Sequence, residues 1–368
     1  MLSPLRLTST LAPIALTVGT LLAGAAPAHA GAAPGPGFPS RYTAPYLETW
    51  RSPEKLTELH RTTGLKYFTL AFVISGGGCK GAFDGTIPVE HRGWQSAVNG
   101  LRAAGGDVIT SFGGGFGTEL ARACDSVAAL KVEYRRVVDS LNLTRIDFDI
   151  EGASLDDAEA NERRNQALAE LQREFAAAGR RLAVHYTLPV NPGGLSPNAI
   201  ALLENARDRG VQVSVVNIMT MNYGPDLDMG RIAITAAEGL HRQMAAIWPH
   251  KTPEELWGMQ GNTPMIGVND HTNEVFSLAD ATTLANFADD KGIQLIAYWS
   301  TGRDDACPAD GVRVADCSGT PQGPHDFSRV LGRKGPLRRA APDARSPRCL
   351  SWFVRTCDWQ SSWQNGVF

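Results

Sequence analysis

An excess of charge of either sign is nearly absent from this chain: 35 Lys and Arg stand against 38 Asp and Glu, a net of -3. Nothing in that balance would draw nucleic acid or an anionic membrane, and a neutral substrate fits it better. The glycine runs lack the GxGxxG spacing with which an open α/β sheet holds a dinucleotide. There is no calcium-loop spacing, no CxxC pair, and no histidine at ligand spacing from a cysteine. Neither a metal nor another cofactor is therefore expected. The apolar stretch from Leu11 to Gly24 falls short of the ~20 residues that a membrane span needs.

That stretch instead has the form of a secretory signal. Arg6 is its one charge and Ala28-His29-Ala30 ends it with small residues at the cleavage positions. Residues 1–30 are thus expected to be removed, leaving a secreted, extracellular protein with no membrane contact. Six cysteines suit that compartment. Six allow fifteen connectivities, and proximity in sequence suggests Cys307 with Cys317 and Cys349 with Cys357, leaving Cys79 for Cys124.

Residues 31–43, rich in Gly, Ala and Pro at their start, read as a flexible leader. From there to residue 334 strand-like and helix-like segments alternate. The strand candidates are Tyr46 to Trp50, Tyr67 to Ser75, Asp107 to Ser111, Arg145 to Glu151, Leu182 to Val190, Val211 to Met221, Met265 to Val268 and Gln294 to Trp299. Helix signals separate most of them, such as Pro53 at a first turn with Gly64 at its end, and Ser277 with Asp280 ahead of Gly292. Eight such units point to an α/β fold of the closed (β/α)8 TIM-barrel kind. Residues 335–368, with two Cys and three Trp, break the pattern and read as a C-terminal extension.

The fourth strand stands out. In Arg-Ile-Asp-Phe-Asp-Ile-Glu, Asp147, Asp149 and Glu151 alternate with Ile146, Phe148 and Ile150, so one face is apolar and the other acidic. On an exposed edge strand such acids would simply face water. Inside a parallel barrel three inward carboxylates resist ionising together, an expense that only a use for them explains. The mouth of a barrel lies at the strand ends, which places Glu151 nearest to it.

These residues resemble those of glycoside hydrolase family 18, the chitinases and their relatives, in the bacterial secreted form. Ser111-Phe112-Gly113-Gly114 is similar to the family's SxGG motif, and Asp147-x-Asp149-x-Glu151 to the later part of DxxDxDxE. Met219-Thr220-Met221-Asn222-Tyr223 and the late Trp299 follow in the family's order. The resemblance implies hydrolysis of β-1,4-linked N-acetylglucosamine in chitin or its oligomers, endo-acting and with retention, by a substrate-assisted route. Glu151 would be the general acid. Asp149 would orient the substrate's acetamide, with Asp147 as its neighbour. Trp299 would floor the cleavage subsite, while Tyr186 and Tyr223 compete for the phenol that bonds the acetamide. Ser111, Gly113, Gly114, Met219, Met221 and Asn222 complete the expected binding set.

The chain also departs from the family's pattern. Thr144 stands where the first Asp of DxxDxDxE belongs, and Gly224 where many members have Asp after the tyrosine. These departures keep in view a non-catalytic chitin-binding lectin of the same fold; the second alternative, an endo-β-N-acetylglucosaminidase acting on N-glycans, turns on loop shape. A monomer is expected in each case.

Overall fold

The computed structural model describes residues 32–224, 227–270, 273–308 and 315–333. The segment read as a signal peptide and the tail, with Cys349, Cys357 and its three tryptophans, lie outside the described residues.

Eight parallel strands close on themselves. β1 comes in two pieces, Tyr42–Thr43 and Tyr46–Glu48, parted at Pro45, which has no N–H to give to a ladder. β2 is Tyr67–Ser75, β3 Asp107–Gly113, β4 Arg145–Asp149, β5 Ala183–Asn191, β6 Val213–Thr220, β7 Gln260–Pro264 and β8 Leu295–Ile296. Each pairs with the next, and Tyr42 beside Leu295 joins β1 to β8, so the barrel has no open edge.

Helices line the outside: α1 (Glu54–Thr63), α2 (Arg92–Ala103), α3 (Val127–Ser140), α4 (Ala158–Ala177), α5 (Pro197–Asp208), α6 (Met229–Ile247), α7 (Leu278–Lys291) and α8 (Asp326–Leu331). Their punctuation is that of the sequence. Gly64 and Gly292 end α1 and α7 in the left-handed conformation, and Ser277 and Asp280 cap each other's backbone N–H at the start of α7.

One of the expected strands is corrected. The seventh strand is Gln260–Pro264, five residues upstream of the apolar stretch that suggested it. Its Gln-Gly-Asn-Thr-Pro sequence looks like a loop, yet every residue is buried. Two of its polar side chains find partners: Asn262 donates to Ala233 O at 3.2 Å, and Thr263 Oγ1 to Asn217 Oδ1 at 2.9 Å. Gly267–Val268 instead forms a small antiparallel pair with Val275–Phe276 above the mouth end of β7.

The described part of the leader, from residue 32, is packed against the barrel's base. Ala32 is buried and its N–H bonds Ser140 O, Ala33 N–H bonds Asn99 Oδ1 at 2.7 Å, and Phe38 stacks between Tyr42 and Tyr67 under the Arg145 guanidinium. Gly35 sits so close to Asp107 that a Cβ would fall 2.1 Å from the carboxylate. Gly and Pro there serve close approach to the base.

The apolar side chains divide into a large layer between strands and helices and a small one within the barrel, made by Tyr42, Ala44, Tyr46, Ala71, Ile109, Val215, Leu295 and Ala297. The inner plug stops at the level of Tyr46. Above it the interior turns polar, and the acids begin. Two disulfides pin loops at the same end: Cys307–Cys317, as sequence proximity suggests, and Cys79–Cys124, the pair that this leaves.

Candidate active site

Registered neighbours in a parallel barrel share a face, so β4 sorts its surroundings. Ile146 and Phe148 point outward, where Phe148 stacks on Phe112 at 5.0 Å and meets Tyr134 edge-on. Asp147 and Asp149 point inward and are 2% and 4% exposed, while Glu151, just past the strand, is half-buried at the rim.

Asp147 is the deepest and the most firmly held. Its Oδ2 accepts from Ser111 Oγ at 2.6 Å and from Tyr46 OH at 3.1 Å, and its Oδ1 from Thr187 Oγ1 at 2.8 Å. Burial pushes its carboxyl up to about 6, against the pull of those three donors. Asp149 is pushed well above the usual carboxylate range, by burial first and then by the charges of Glu151 and Asp147. Its Oδ1 is buried without a protein partner. Burial raises Glu151 as well. The three groups thus favour protons at pH values where free carboxylates are ionised, which a general acid requires.

The glycines of SxGG are explained by contact. Gly113 and Gly114 both have φ near +90°, where other residues are strained. A Cβ on Gly113 would lie 2.1 Å from Asp149 O, and one on Gly114 2.8 Å from the Phe72 ring. Gly114 N–H bonds Asp149 O at 2.9 Å, tying the β3 loop to the acidic strand. The loop then passes Glu151, whose Oε1 lies 3.4 Å from where a Cβ of Gly115 would sit.

Trp299 lies at the mouth end of β8, stacked on Phe72 with centroids 5.6 Å apart and planes at 14°. Tyr46 and Trp50 flank it at 6.1 Å and 6.3 Å. Met219, on the inward face of β6 with Val215 and Asn217, is half-buried one step nearer the mouth, and Met221 follows it. Asn222 is exposed, with φ +60°, and donates to Asp270 at 3.2 Å.

Of the two candidate phenols, Tyr186 is corrected. It pairs in register with Phe148, hence faces outward, and it gives its hydroxyl to Asn165 of α4. Tyr223 follows the mouth end of β6. Its hydroxyl is buried without a protein partner, and burial, then the charge of Glu274, push it up. Glu274 is itself fully buried and accepts the Gly224 N–H at 2.9 Å. A carboxylate from another loop therefore stands at the position where the sequence lacks Asp. Thr144 precedes β4 at the base and is exposed, far along the strand from Glu151.

Several residues of this layer escaped the sequence. Tyr46, Thr187, Asn217 and Thr263 form one inward network around Asp147, in which Asn217 Nδ2 donates to Thr263 Oγ1 at 2.7 Å and to Thr187 Oγ1 at 3.0 Å. Their signal is parity. Ser111, Asp147 and His185 share one register row, and Gly113, Asp149 and Thr187 share the next inward one. Among the described residues no group of three side chains is placed to hold a metal ion.

No family model matches the chain. It is 36% identical over 280 residues to a protein of Escherichia coli (strain K12) named a probable bifunctional chitinase/lysozyme, covering 73% of this chain and 31% of that one. It is 36% identical over 281 residues to endochitinase 11 of Metarhizium anisopliae, covering 73% of this chain and 53% of the relative. The chain therefore spans about half or less of these two proteins. A solved domain, active domain 2 of the thermostable chitinase from Pyrococcus furiosus, crystallised as catalytic-site mutants complexed with chito-oligosaccharides, superposes with a TM-score of 0.72. The sequences are 35% identical, and the match covers 80% of this chain and 94% of that domain. Together with the acids of β4 and the glycine turn beside them, these relatives place the chain: it belongs to glycoside hydrolase family 18.

Proposed function

We propose that this chain hydrolyses the β-1,4 bonds of N-acetylglucosamine polymers or oligomers from within, with retention. Glu151 passes its proton to the leaving glycosidic oxygen as the carbonyl oxygen of the substrate's own acetamide attacks the anomeric carbon. The glycosidic bond breaks and a cyclic oxazolinium ion remains, its positive charge beside Asp149. Water then attacks the same carbon, gives a proton back to Glu151 and reopens the ring. Asp147, held by three hydroxyls, lies below Asp149, and its charge, after that of Glu151, helps to keep the Asp149 proton in place. The indole of Trp299 floors the subsite, and Tyr223 is the phenol on the acetamide side.

The observation that carries this reading is the stack of three raised carboxylates rising from a closed core to an open rim. A lectin has no need of the rim acid. The test is release of a fluorescent leaving group from a short N-acetylglucosamine oligosaccharide by wild type and Glu151→Gln, with binding measured in parallel. Turnover by wild type alone, with binding by both, is expected. Binding by both with turnover by neither would replace the glycosidase by a chitin-binding lectin.

The protein acts outside the cell as a monomer. Residues 1–30 and the two disulfides support the first part. A mature N-terminus near Gly31 in culture medium, and the hydrodynamic size of one chain, would check both.

A further inference from the structure

On β1, Glu48 shares the face of Tyr46, and Trp50 follows on that face beyond the strand. Tyr46 reaches Asp147 and Trp50 stands at the rim beside Trp299. Glu48, between them, is 1% exposed and has no part in the chemistry above. Its carboxylate accepts from Ser300 Oγ at 2.7 Å, Thr301 Oγ1 at 3.2 Å and Gly302 N–H at 3.3 Å, and Arg51 Nε lies 3.3 Å away. All three donors belong to the turn that leaves Trp299. The turn is seated directly on the acid, since a Cβ at Gly302 would fall 2.4 Å from Glu48 Oε1.

Along the β1–β8 seam, backbone bonds reach Tyr46 N–H on Tyr298 O at 3.2 Å. Above that level the Glu48 side chain takes over. The same strand end also holds the other side of the aromatic stack: Glu48 is in register with Ala71, and Thr49 N–H bonds Ala71 O at 2.7 Å, next to Phe72. A buried carboxylate needs donors, and here the donors are those of one turn, with one guanidinium beside them as ion-pair partner.

We infer that Glu48 is a positioning residue for the sugar site: it fixes the turn after β8 so that the Trp299 indole lies flat against Phe72 and offers its other face to the substrate. Arg51 extends the hold by donating to Asp316 Oδ1 at 2.9 Å, one residue from the Cys307–Cys317 bridge. This rests on the glycosidase reading above.

The experiment is a double-mutant cycle read as oligosaccharide affinity. Glu151→Gln serves as the parent, so that turnover does not interfere, and a short N-acetylglucosamine oligosaccharide is titrated into it by calorimetry. Glu48→Ala is expected to weaken binding about tenfold in the parent and less than twofold when Trp299 is already Ala, because its effect passes through the indole. Should Glu48→Ala fail to fold, Glu48→Gln, which keeps one acceptor, should weaken binding about threefold with the same dependence on Trp299. In the active background, the pH limbs of hydrolysis should stay where they are in wild type. Equal losses with and without Trp299, or no loss at all, would overturn the inference. A parent that binds no oligosaccharide would sink the glycosidase reading and this one with it.

Discussion

Replacing Asp147 by Asn should make the protein more stable at neutral pH while lowering its activity. In the folded protein the carboxyl is held up to about 6 by burial, against an ordinary value of 3.8. The folded state therefore binds this proton more tightly than the unfolded chain. Its contribution is fully present below the unfolded value and is lost as pH rises through the folded one. The difference corresponds to about 3 kcal/mol in full, of which about 2.4 kcal/mol is lost between pH 4 and pH 7. Asn has nearly the same shape, and the hydroxyls of Ser111 and Tyr46 can turn to accept from its amide. Removing the charge also relieves Asp149, whose own proton is favoured in part by Asp147, so the second effect has the same sign. Urea unfolding of wild type and Asp147→Asn at intervals from pH 4 to 8 checks the claim. The variant should match wild type or fall below it at pH 4 and gain about 2.4 kcal/mol relative to it by pH 7. Curves that run parallel across that range would refute the idea that Asp147 is buried at a cost and retained for chemistry.

Other outcomes follow from the same coordinates. Burial raises Glu151, so hydrolysis should decline as pH climbs through a value above the ~4.3 of a free glutamate, and the alkaline limb of kcat/KM reports it. Gly114→Ala puts a methyl 2.8 Å from the Phe72 ring at φ +89°; turnover should fall at least about tenfold and stability by about 2 kcal/mol, read by melting and by the fluorogenic assay. Replacing Cys79 and Cys124 together with Ala removes a cross-link spanning 45 residues, and denaturant unfolding should show a loss of about 4 kcal/mol.

How much of this was legible in the sequence depends on whether the information was local. The acids of β4, the glycine turn after β3 and the helix caps each lie within a few residues, so their pattern survives without the fold. Glu48 carries no such mark. In Tyr-Leu-Glu-Thr-Trp it reads as a surface charge on an edge strand, and only closure of β1 on β8 brings it under Trp299. Gln260–Pro264 was hidden for a related reason: a strand whose Asn262 and Thr263 find their partners on other elements does not look apolar.

Tyr186 shows what could have been recovered by argument. Once Asp147 and Asp149 are taken as inward, Phe148 must be outward, and so must whatever pairs with it. The SxGG motif fixes the register on the other side, because Ser111 bonds Asp147 and leaves Phe112 beside Phe148. Carried one strand further, the same row ends on Tyr186, and the inward places on β5 go to His185 and Thr187. A tyrosine in that row can brace the helix layer, as it does through Asn165, but it cannot reach a sugar in the mouth. Parity thus removes Tyr186 from the mouth before any distance is measured, and it puts Thr187 on the inward face, where it bonds Asp147 although no motif contains it.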